Sequence, residues 1–189
     1  RQIVEAGADG FENLRHGLSA GEKMPAVVMD AWQAQTGKAV YEALGMSEVS
    51  TFVSSSPIVA PRSGTAGKAQ EGRRLAVLGR GRPVGVGEAG VMAVSKDDPG
   101  LMLGYFEQPD ETAAKYQDQW FVTGDTVSMD GDGYVTYLGR DDDMMNAGGY
   151  RVSPIEVEAA MMRCDGVLHA AAAEVEVREG VRVIAGFYV

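Results

Sequence analysis

The sequence has little of what disulfide-bonded, zinc-binding and membrane proteins need. Its 189 residues include one cysteine and two histidines, which excludes an internal disulfide and a cysteine–histidine zinc cluster. We expect the single cysteine, Cys164, which lies beside a helical segment, to be buried and unreactive. No apolar run approaches membrane-spanning length, and no basic segment followed by an apolar one predicts a signal peptide. The sequence therefore predicts a cytoplasmic protein without a membrane span.

Positive charge is also scarce. The chain has 17 Lys and Arg residues against 27 Asp and Glu residues, a formal net charge of −10. Nucleic acid is therefore not an expected partner, since binding its phosphates requires a cationic surface. With 45% hydrophobic and 23% charged residues, the composition is that of a globular protein. The first residue is Arg1 rather than Met, which predicts a trimmed chain or an internal segment of a longer one.

Glycine is abundant, at 25 of the 189 residues, roughly twice the usual share. Apolar spacing predicts a helix over 24–36 that ends before Gly37, followed by short strands near 38–41 and 51–54. Residues 64–140 alternate apolar and polar side chains between glycines, which predicts short antiparallel strands with one helix at 109–116. A capping Ser, Pro and Glu at 153, 154 and 156 predict a helix from Pro154 to about Arg163. Two further strands are expected at 167–177 and 181–189.

Three motifs resemble binding sites but favour a structural interpretation. Residues Ser63–Lys68 lack the full phosphate-loop pattern and its flanking strand and helix, so a glycine-rich turn is the better interpretation. Residues Asp130–Gly133 begin like a calcium loop but lack its distal ligands, so they predict a hairpin turn. His16 and His169 lie far apart in the sequence without ligand spacing around them, which argues against a metal site.

Three stretches carry polar groups in glycine-containing turns after strands: Tyr41–Glu48, Trp120–Asp125 and Gly139–Glu158. A carboxylate such as that of Asp125 can accept hydrogen bonds from two neighbouring hydroxyls, as on a ribose, and the guanidinium of Arg140 can donate several hydrogen bonds. The alternative is that Asp125 caps a turn and that Arg140 pairs with Asp141 or Asp142 on the surface.

In their order and spacing, these stretches resemble the adenylate-forming superfamily of acyl-CoA synthetases, adenylation domains and luciferases. Leu14–Glu22 resembles its adenine-side loop, Leu44–Glu48 its aromatic-Gly-x-Thr-Glu motif and Thr123–Asp125 its ribose-binding Thr-Gly-Asp. Residues Gly139–Glu158 resemble its hinge and the glycine-rich loop that follows. Residues 47–56, 148–150 and 152–154 are most similar to benzoate-type aryl-CoA ligases.

The resemblance implies a nucleotide site for ATP or AMP. Gly21 and Glu22 would border the adenine, and Ser47 would bind the α-phosphate. Asp125 would bind the ribose hydroxyls, and Arg140 would hold the ribose and phosphate. The implied wall of the nucleotide consists of Glu42, Ala43, Leu44, Gly45 and Met46.

The same resemblance implies catalytic and coenzyme A functions. Ser47 and Glu48 would act in catalysis, with Glu48 as the Mg²⁺ ligand, and Asp142 would be the hinge of a mobile small domain. Gly148 and Gly149 would let the pantetheine arm of coenzyme A pass. Arg151 would reach a nucleotide phosphate. The implied substrates are ATP, coenzyme A and a small carboxylic acid, first of all benzoate or another aryl acid.

Departures from the family pattern leave alternatives open. Leu44 stands where many relatives have an aromatic residue, and Ser47 replaces the commoner Thr. The family's phosphate loop and its adenylation lysine are not found in this sequence, so we expect the chain alone to be inactive. A fatty acyl-CoA synthetase, a carrier-loading adenylation domain and a non-catalytic AMP-binding remnant are alternatives to an aryl-CoA ligase. Val49, Thr51, Phe52 and Val53 are compatible with several acids.

The resemblance also implies a fold of two domains, with a boundary after residue 141. Residues 1–141 would be the last part of a large AMP-binding domain, with an α/β layer over 1–60 and an antiparallel, β-barrel-like subdomain over 61–141. Residues 142–189 would begin a small α+β C-terminal domain. The sequence predicts no particular oligomeric state.

Overall fold

A computed structural model of the protein describes residues 2–7, 10–21, 24–147, 150–178 and 181–189. Within these residues it contains four helices and fourteen strands. The helices are α1 (Gln2–Ala6), α2 (Ala26–Thr36), α3 (Pro109–Ala114) and α4 (Pro154–Met161). The strands are β1 (Gly17–Ala20), β2 (Val40–Met46), β3 (Ser50–Ser54), β4 (Lys68–Ala69), β5 (Leu75–Gly79), β6 (Arg82–Pro83), β7 (Ala89–Ser95), β8 (Tyr116–Gln117), β9 (Trp120–Met129), β10 (Val135–Arg140), β11 (Met145–Ala147), β12 (Tyr150–Val152), β13 (Ala170–Arg178) and β14 (Val181–Tyr188).

The first sheet has the strand order β1-β2-β3-β4. Strands β1 and β2 are parallel and are connected through helix α2, the crossover that a parallel pair needs. Helix α2 ends at the predicted position, where the Gly37 N–H donates to the Gln33 carbonyl at 2.9 Å. Strand β2 starts at Val40 and continues to Met46, so the family-like motif at 44–48 begins inside a strand. The α/β character predicted for residues 1–60 is present in this layer.

The second sheet is antiparallel, as predicted for residues 64–140. Its strand order is β10-β9-β7-β5-β6, with the short strand β8 also paired to β9. The two sheets share one apolar core. Its fully or nearly fully buried side chains are Val49, Phe52, Val53, Val77, Met92, Val94, Phe121, Val127 and Val135. The predicted barrel-like closure of this region stays a prediction.

The last part of the described chain contains helix α4 and two hairpins, β11-β12 and β13-β14. Ser153 caps helix α4: its Oγ accepts from the Glu156 N–H at 3.3 Å and donates to the Leu138 carbonyl of β10. The bond to Leu138 joins the start of α4 to the six-stranded sheet. It also gives the Ser153 hydroxyl, which is buried with the residue 1% exposed, a hydrogen-bond acceptor. The predicted boundary between a large and a small domain at residue 141 stays a prediction.

Two expectations need correction. Cys164 is exposed rather than buried, because it lies in the turns after α4 ends and not on a packed face of the helix. Helix α4 ends at Met161, two residues before the predicted Arg163. In the described part of the chain, no helix combines the length and apolar character of a membrane span.

Candidate nucleotide-binding site

A cavity of about 240 Å³ lies where the two sheets meet. It is lined by residues from the end of β1, from β2, from the turn before β4 and from the paired strands β9 and β10. These residues are Gly21, Glu42, Ala43, Leu44, Gly45, Met46, Gly64, Thr65, Ala66, Asp125, Tyr137 and Arg140. Eight predicted nucleotide-binding residues, distant in the sequence, therefore share one cavity: Gly21, Glu42, Ala43, Leu44, Gly45, Met46, Asp125 and Arg140.

The Thr-Gly-Asp motif lies in an irregular part of β9. The side chain of Thr123 is buried, and its Oγ1 donates to the Met92 carbonyl at 2.9 Å and accepts from the Asp125 N–H at 3.1 Å. Gly124 has a φ of +84°, and a Cβ at this position would lie 2.9 Å from Arg140 Nη2. The backbone conformation therefore favours glycine here, and a side chain would also displace the guanidinium that packs against it. The motif places the Asp125 carboxylate in the cavity wall.

Asp125 and Arg140 form the charged pair of this cavity. They are direct partners in the β9-β10 ladder, and Arg140 Nη1 donates to Asp125 Oδ1 at 3.4 Å. Burial raises the pKa of Asp125, while the positive charge of Arg140 opposes this increase and the negative charge of Glu48 adds to it. Since burial disfavours the ionised carboxylate, hydrogen-bond donors from a ligand would stabilise it.

Arg140 has further partners that hold its guanidinium at the cavity. Its Nη1 donates to the Thr123 carbonyl and its Nε to Asp142 Oδ1, each at 3.3 Å. The pairing of Arg140 with Asp142, given as an alternative interpretation of the sequence, is thus present together with the contact to Asp125. Tyr137 lines the cavity beside them, and burial, followed by the charge of Asp125, raises the pKa of its phenol.

Strand β2 supplies a mostly apolar wall through residues 43–46. Its first cavity residue, Glu42, is 8% exposed. The Glu42 N–H donates to Ser55 Oγ at 2.9 Å, and Glu42 Oε1 accepts from the Met24 N–H at 3.2 Å. Glu42 therefore joins β2 to the segment that enters α2. Leu44 gives the wall an aliphatic side chain that also packs against the shared core.

Ser47 and Glu48 lie in the tight turn between β2 and β3, adjacent to the cavity wall. Ser47 is exposed and Glu48 half-buried. The Tyr105 hydroxyl donates to Glu48 Oε1 at 2.7 Å, and the Met102 N–H donates to the Glu48 carbonyl at 2.7 Å. Hydrogen bonding to Glu48, together with burial, raises the pKa of Tyr105 to about 12, so the phenol is a donor at neutral pH.

A Mg²⁺ ion fits this arrangement only together with a ligand. Within residues 2–7, 10–21, 24–147, 150–178 and 181–189, no group of three or more His, Cys, Asp or Glu side chains could hold a metal ion. Glu48 offers one carboxylate whose Oε1 already accepts from Tyr105. Magnesium is commonly bound by one or two carboxylates with substrate phosphates and water completing the octahedron. The donor set is therefore suited to a metal–nucleotide complex.

The residues after Glu48 do not face the cavity. Val49, Phe52 and Val53 are each 0% exposed and lie in the shared apolar core. The three side chains, which the resemblance would place near the acid, therefore line neither described cavity.

The segment after β10 contains the predicted hinge. The Asp141 N–H donates to the Gly124 carbonyl at 2.8 Å, which extends the ladder by one residue, and the Asp142 side chain beyond it is 74% exposed. Arg151 on β12 donates through Nη2 to the Asp141 carbonyl at 2.7 Å and lies 3.0 Å from Asp141 Oδ1. Arg151 thus contacts Asp141, the residue before the predicted hinge, and lines neither described cavity. Its predicted phosphate contact stays a prediction.

A second cavity, of about 550 Å³, lies between the segment after β10, α4 and the hairpin β13-β14. Asp142 lines it, and Arg140 is shared by both cavities. Three predicted site residues, Glu22, Gly148 and Gly149, lie outside the described residues. The structure therefore leaves the coenzyme A passage as a prediction.

Sequence reasoning missed two groups at the site. Gly64, Thr65 and Ala66 line the cavity, although the pattern of Ser63–Lys68 favours a glycine-rich turn without a binding site. Tyr105 was missed because its contact with Glu48 spans 57 sequence positions. The glycine-rich pattern around residue 64 was a detectable signal, whereas no local pattern marks Tyr105.

Residues 130–133 form the predicted hairpin turn, in which Asp130 Oδ1 accepts from two backbone N–H groups.

Comparison with known proteins agrees with this geometry. The sequence pattern of the family described as AMP-binding enzyme matches residues 1–106. The 3-hydroxybenzoate–CoA ligase of Aromatoleum sp. (strain CIB) is 34% identical over 181 residues, covering 92% of this chain and 33% of the relative. The mitochondrial acyl-coenzyme A synthetase ACSM5 of Homo sapiens is 35% identical over 165 residues, covering 85% of this chain and 28% of the relative. The chain thus spans about a third of the length of the curated relatives it matches.

A solved structure is similar over nearly the whole chain. The O-succinylbenzoate coenzyme A synthetase (MenE) from Bacillus subtilis, in complex with ATP and a magnesium ion, has a TM-score of 0.85 and 25% identity. The similarity covers 99% of this chain and 39% of the synthetase. Together with the match to more than half of the sequence, this confirms the predicted resemblance: the chain belongs to the AMP-binding enzyme family of adenylate-forming proteins.

Proposed function

We propose that the protein is an ATP-dependent acid–thiol ligase that converts a carboxylic acid to an acyl-adenylate and then to a coenzyme A thioester. The observation that carries this proposal is the cavity in which Asp125 and Arg140 face the apolar wall of β2. An apolar wall suits a nucleobase, and a carboxylate beside a guanidinium suits the hydroxyls of a ribose and a neighbouring phosphate.

Four polar groups of the proposed site take part in this reaction. Asp125 binds the ribose hydroxyls, and Arg140 binds the ribose and the α-phosphate. The Ser47 hydroxyl donates to an α-phosphate oxygen. Glu48 holds Mg²⁺, which neutralises charge on the phosphates when it is bound. A carboxylate is a poor electrophile, and this positioning and charge neutralisation assist its attack on the α-phosphorus with release of pyrophosphate.

The second half-reaction requires a change of the active-site lining. Attack of the coenzyme A thiol on the acyl carbon releases AMP. We propose that rotation about Asp142 exchanges the residues that face the adenylate and brings Gly148 and Gly149 towards the pantetheine arm. The exposure of Asp142, immediately after the last ladder bond of β10, supports a hinge at this position.

We propose an aryl acid, such as benzoate, as the substrate. The similarity to a 3-hydroxybenzoate–CoA ligase and to an O-succinylbenzoate coenzyme A synthetase supports this choice. The second candidate is a non-aromatic acyl substrate, which is favoured by the equal similarity to an acyl-coenzyme A synthetase. The described cavities do not decide between them, because Val49, Phe52 and Val53 are buried in the core. The cytoplasmic location also stays a prediction.

The test uses the full-length protein with ATP, Mg²⁺, coenzyme A and one acid at a time. Pyrophosphate release and loss of free thiol are measured with benzoate, 3-hydroxybenzoate, hexanoate and octanoate. The aryl acids are expected to give the higher kcat/KM. Preference for octanoate would support the second candidate. AMP binding without pyrophosphate release for any acid would instead support a non-catalytic nucleotide-binding protein.

Matched variants of the full-length protein test the site. Asp125→Asn is expected to reduce kcat/KM for ATP at least tenfold, because truncating the charge removes a hydrogen bond to a charged group worth about 1.5–3 kcal/mol. Asp97→Asn is the control, since Asp97 is exposed and pairs with Arg74 on the surface at 3.2 Å. Equal kinetics of the two variants would remove Asp125 from the nucleotide site.

A further inference from the structure

The side chain of Tyr105 contacts Glu48, the proposed metal ligand. Its hydroxyl donates to Glu48 Oε1 at 2.7 Å, and its ring is half-buried. Tyr105 does not line the cavity of the proposed nucleotide site. Its hydroxyl can therefore affect the site only through its contact with Glu48.

Hydrogen bonds from the loop before α3 join it to α3 on one side and to Glu48 on the other. The Tyr105 N–H donates to Thr112 Oγ1 at 2.9 Å, and the Thr112 hydroxyl donates to the carbonyl of Gln108, the N-cap residue of α3, at 2.9 Å. On the other side, the Met102 N–H donates to the Glu48 carbonyl at 2.7 Å. The loop therefore fixes both the backbone and the carboxylate of Glu48.

This contact determines which part of the carboxylate remains available. The hydrogen bond from the phenol to Oε1 restrains the orientation of the carboxyl group, so Oε2 would be the oxygen that binds a metal ion. Magnesium requires near-octahedral geometry and is sensitive to ligand orientation. Groups that hydrogen-bond a metal-binding carboxylate orient it, and their loss typically weakens metal affinity 10- to 100-fold.

We propose that Tyr105 is a positioning residue that orients Glu48 for the Mg²⁺ of a metal–nucleotide complex. The inference rests on the proposed function, since it assumes that a magnesium nucleotide binds at this site. It adds a second requirement for the site: the loop over 101–106 and helix α3, through Thr112, must be in place for metal binding.

The experiment measures binding rather than turnover. The full-length protein is titrated by calorimetry with α,β-methylene-ATP in the presence of Mg²⁺, and separately with AMP in EDTA. Tyr105→Phe, which keeps the ring, is expected to weaken binding of the magnesium analogue at least tenfold and to leave AMP binding unchanged. Tyr116→Phe is the matched control, because Tyr116 is a half-buried tyrosine in edge contact with Phe121. It is expected to change neither affinity.

A double variant tests whether Tyr105 acts through Glu48. In the Glu48→Gln background, Tyr105→Phe is expected to cause no additional loss of affinity for the magnesium analogue. Unchanged affinity of Tyr105→Phe for this analogue, equal losses for AMP and the analogue, or additive losses in the double variant would each overturn the inference. Failure of the wild-type protein to bind either ligand would instead contradict the proposed function, and the Tyr105 inference would fall with it. Thermal unfolding of each variant shows whether the fold is retained.

Discussion

Asp125 and Arg140 are direct partners on the adjacent strands β9 and β10, with Asp125 Oδ1 3.4 Å from Arg140 Nη1. The distance is at the long end of hydrogen bonding, so the carboxylate and the guanidinium are neighbours without saturating each other. Each retains capacity to bind a ligand in the cavity they line. This balance between burial and partial pairing explains the raised pKa of Asp125 and leads to the first two predictions.

Nucleoside binding should depend on pH through Asp125. The ionised carboxylate accepts from ribose hydroxyls, and burial raises its pKa, so affinity should fall as pH decreases through that raised pKa. Below it, the expected loss approaches about tenfold per pH unit. Calorimetry with adenosine, which lacks a titrating phosphate, measures the effect in the full-length protein. Asp125→Asn should bind weakly with little pH dependence, and wild-type affinity that is flat across the acidic range would contradict the assignment.

The contribution of Asp125 to the stability of the free protein should change with pH in the opposite direction to nucleoside affinity. Because the folded-state pKa of Asp125 is raised, its contribution to stability is present below the ordinary aspartate pKa and is lost as pH rises through the folded value. The melting temperature of Asp125→Asn, relative to wild type, should therefore increase as the pH is raised from the acidic range to neutrality. Thermal unfolding of both proteins without nucleotide at several pH values tests this. A difference in melting temperature that decreases with pH would show that pairing with Arg140 outweighs burial.

Gly67 should be intolerant of any side chain. It has a φ of +102°, and a Cβ there would lie 2.1 Å from the backbone of Ser54 and Ser55. Gly67→Ala should therefore lower the free energy of unfolding by about 3 kcal/mol or more, since backbone strain and a backbone clash add. It should also weaken nucleotide binding, because Gly67 follows the cavity residues 64–66.

Gly72 provides the control for this prediction. It also has a positive φ, +82°, but no atom lies within 4 Å of a Cβ built on it. Gly72→Ala should therefore cost about 1–2 kcal/mol from conformation alone. Denaturant unfolding of both variants measures the difference. Equal losses would mean that the close approach at Gly67 can relax.

Phe121 should be a main support of the shared core. It is 0% exposed and in edge contact with Tyr116 at a centroid distance of 5.5 Å. Phe121→Ala should lower the free energy of unfolding by about 3–5 kcal/mol through lost apolar contacts and the cavity left behind. Phe106→Ala is the matched control, because Phe106 is 86% exposed and should change stability by less than about 0.5 kcal/mol. Chemical denaturation compares the two, and a small loss for Phe121→Ala would place the core elsewhere.

The sequence by itself determined much of the local structure and the family to which the chain belongs. The capping Ser153, the glycine after α2 and the alternation over 64–140 act through contacts between near neighbours in the chain, so their elements could be predicted. The family-like motifs predicted that Asp125 and Arg140 belong to one site, and both residues line the same cavity. Boundaries were less accurate, as with β2, because strand length depends on pairing with β1 and β3.

Only the tertiary structure decided which groups meet. The contact of Tyr105 with Glu48 and the entry of Gly64–Ala66 into the cavity join segments far apart in the sequence. Such contacts depend on how two sheets pack, and local propensities carry no information about that packing. The same packing buried Val49, Phe52 and Val53 in the core, left Cys164 exposed and placed Arg151 at Asp141. Burial and partner choice are properties of the assembled chain, whereas the sequence specifies only which groups are available.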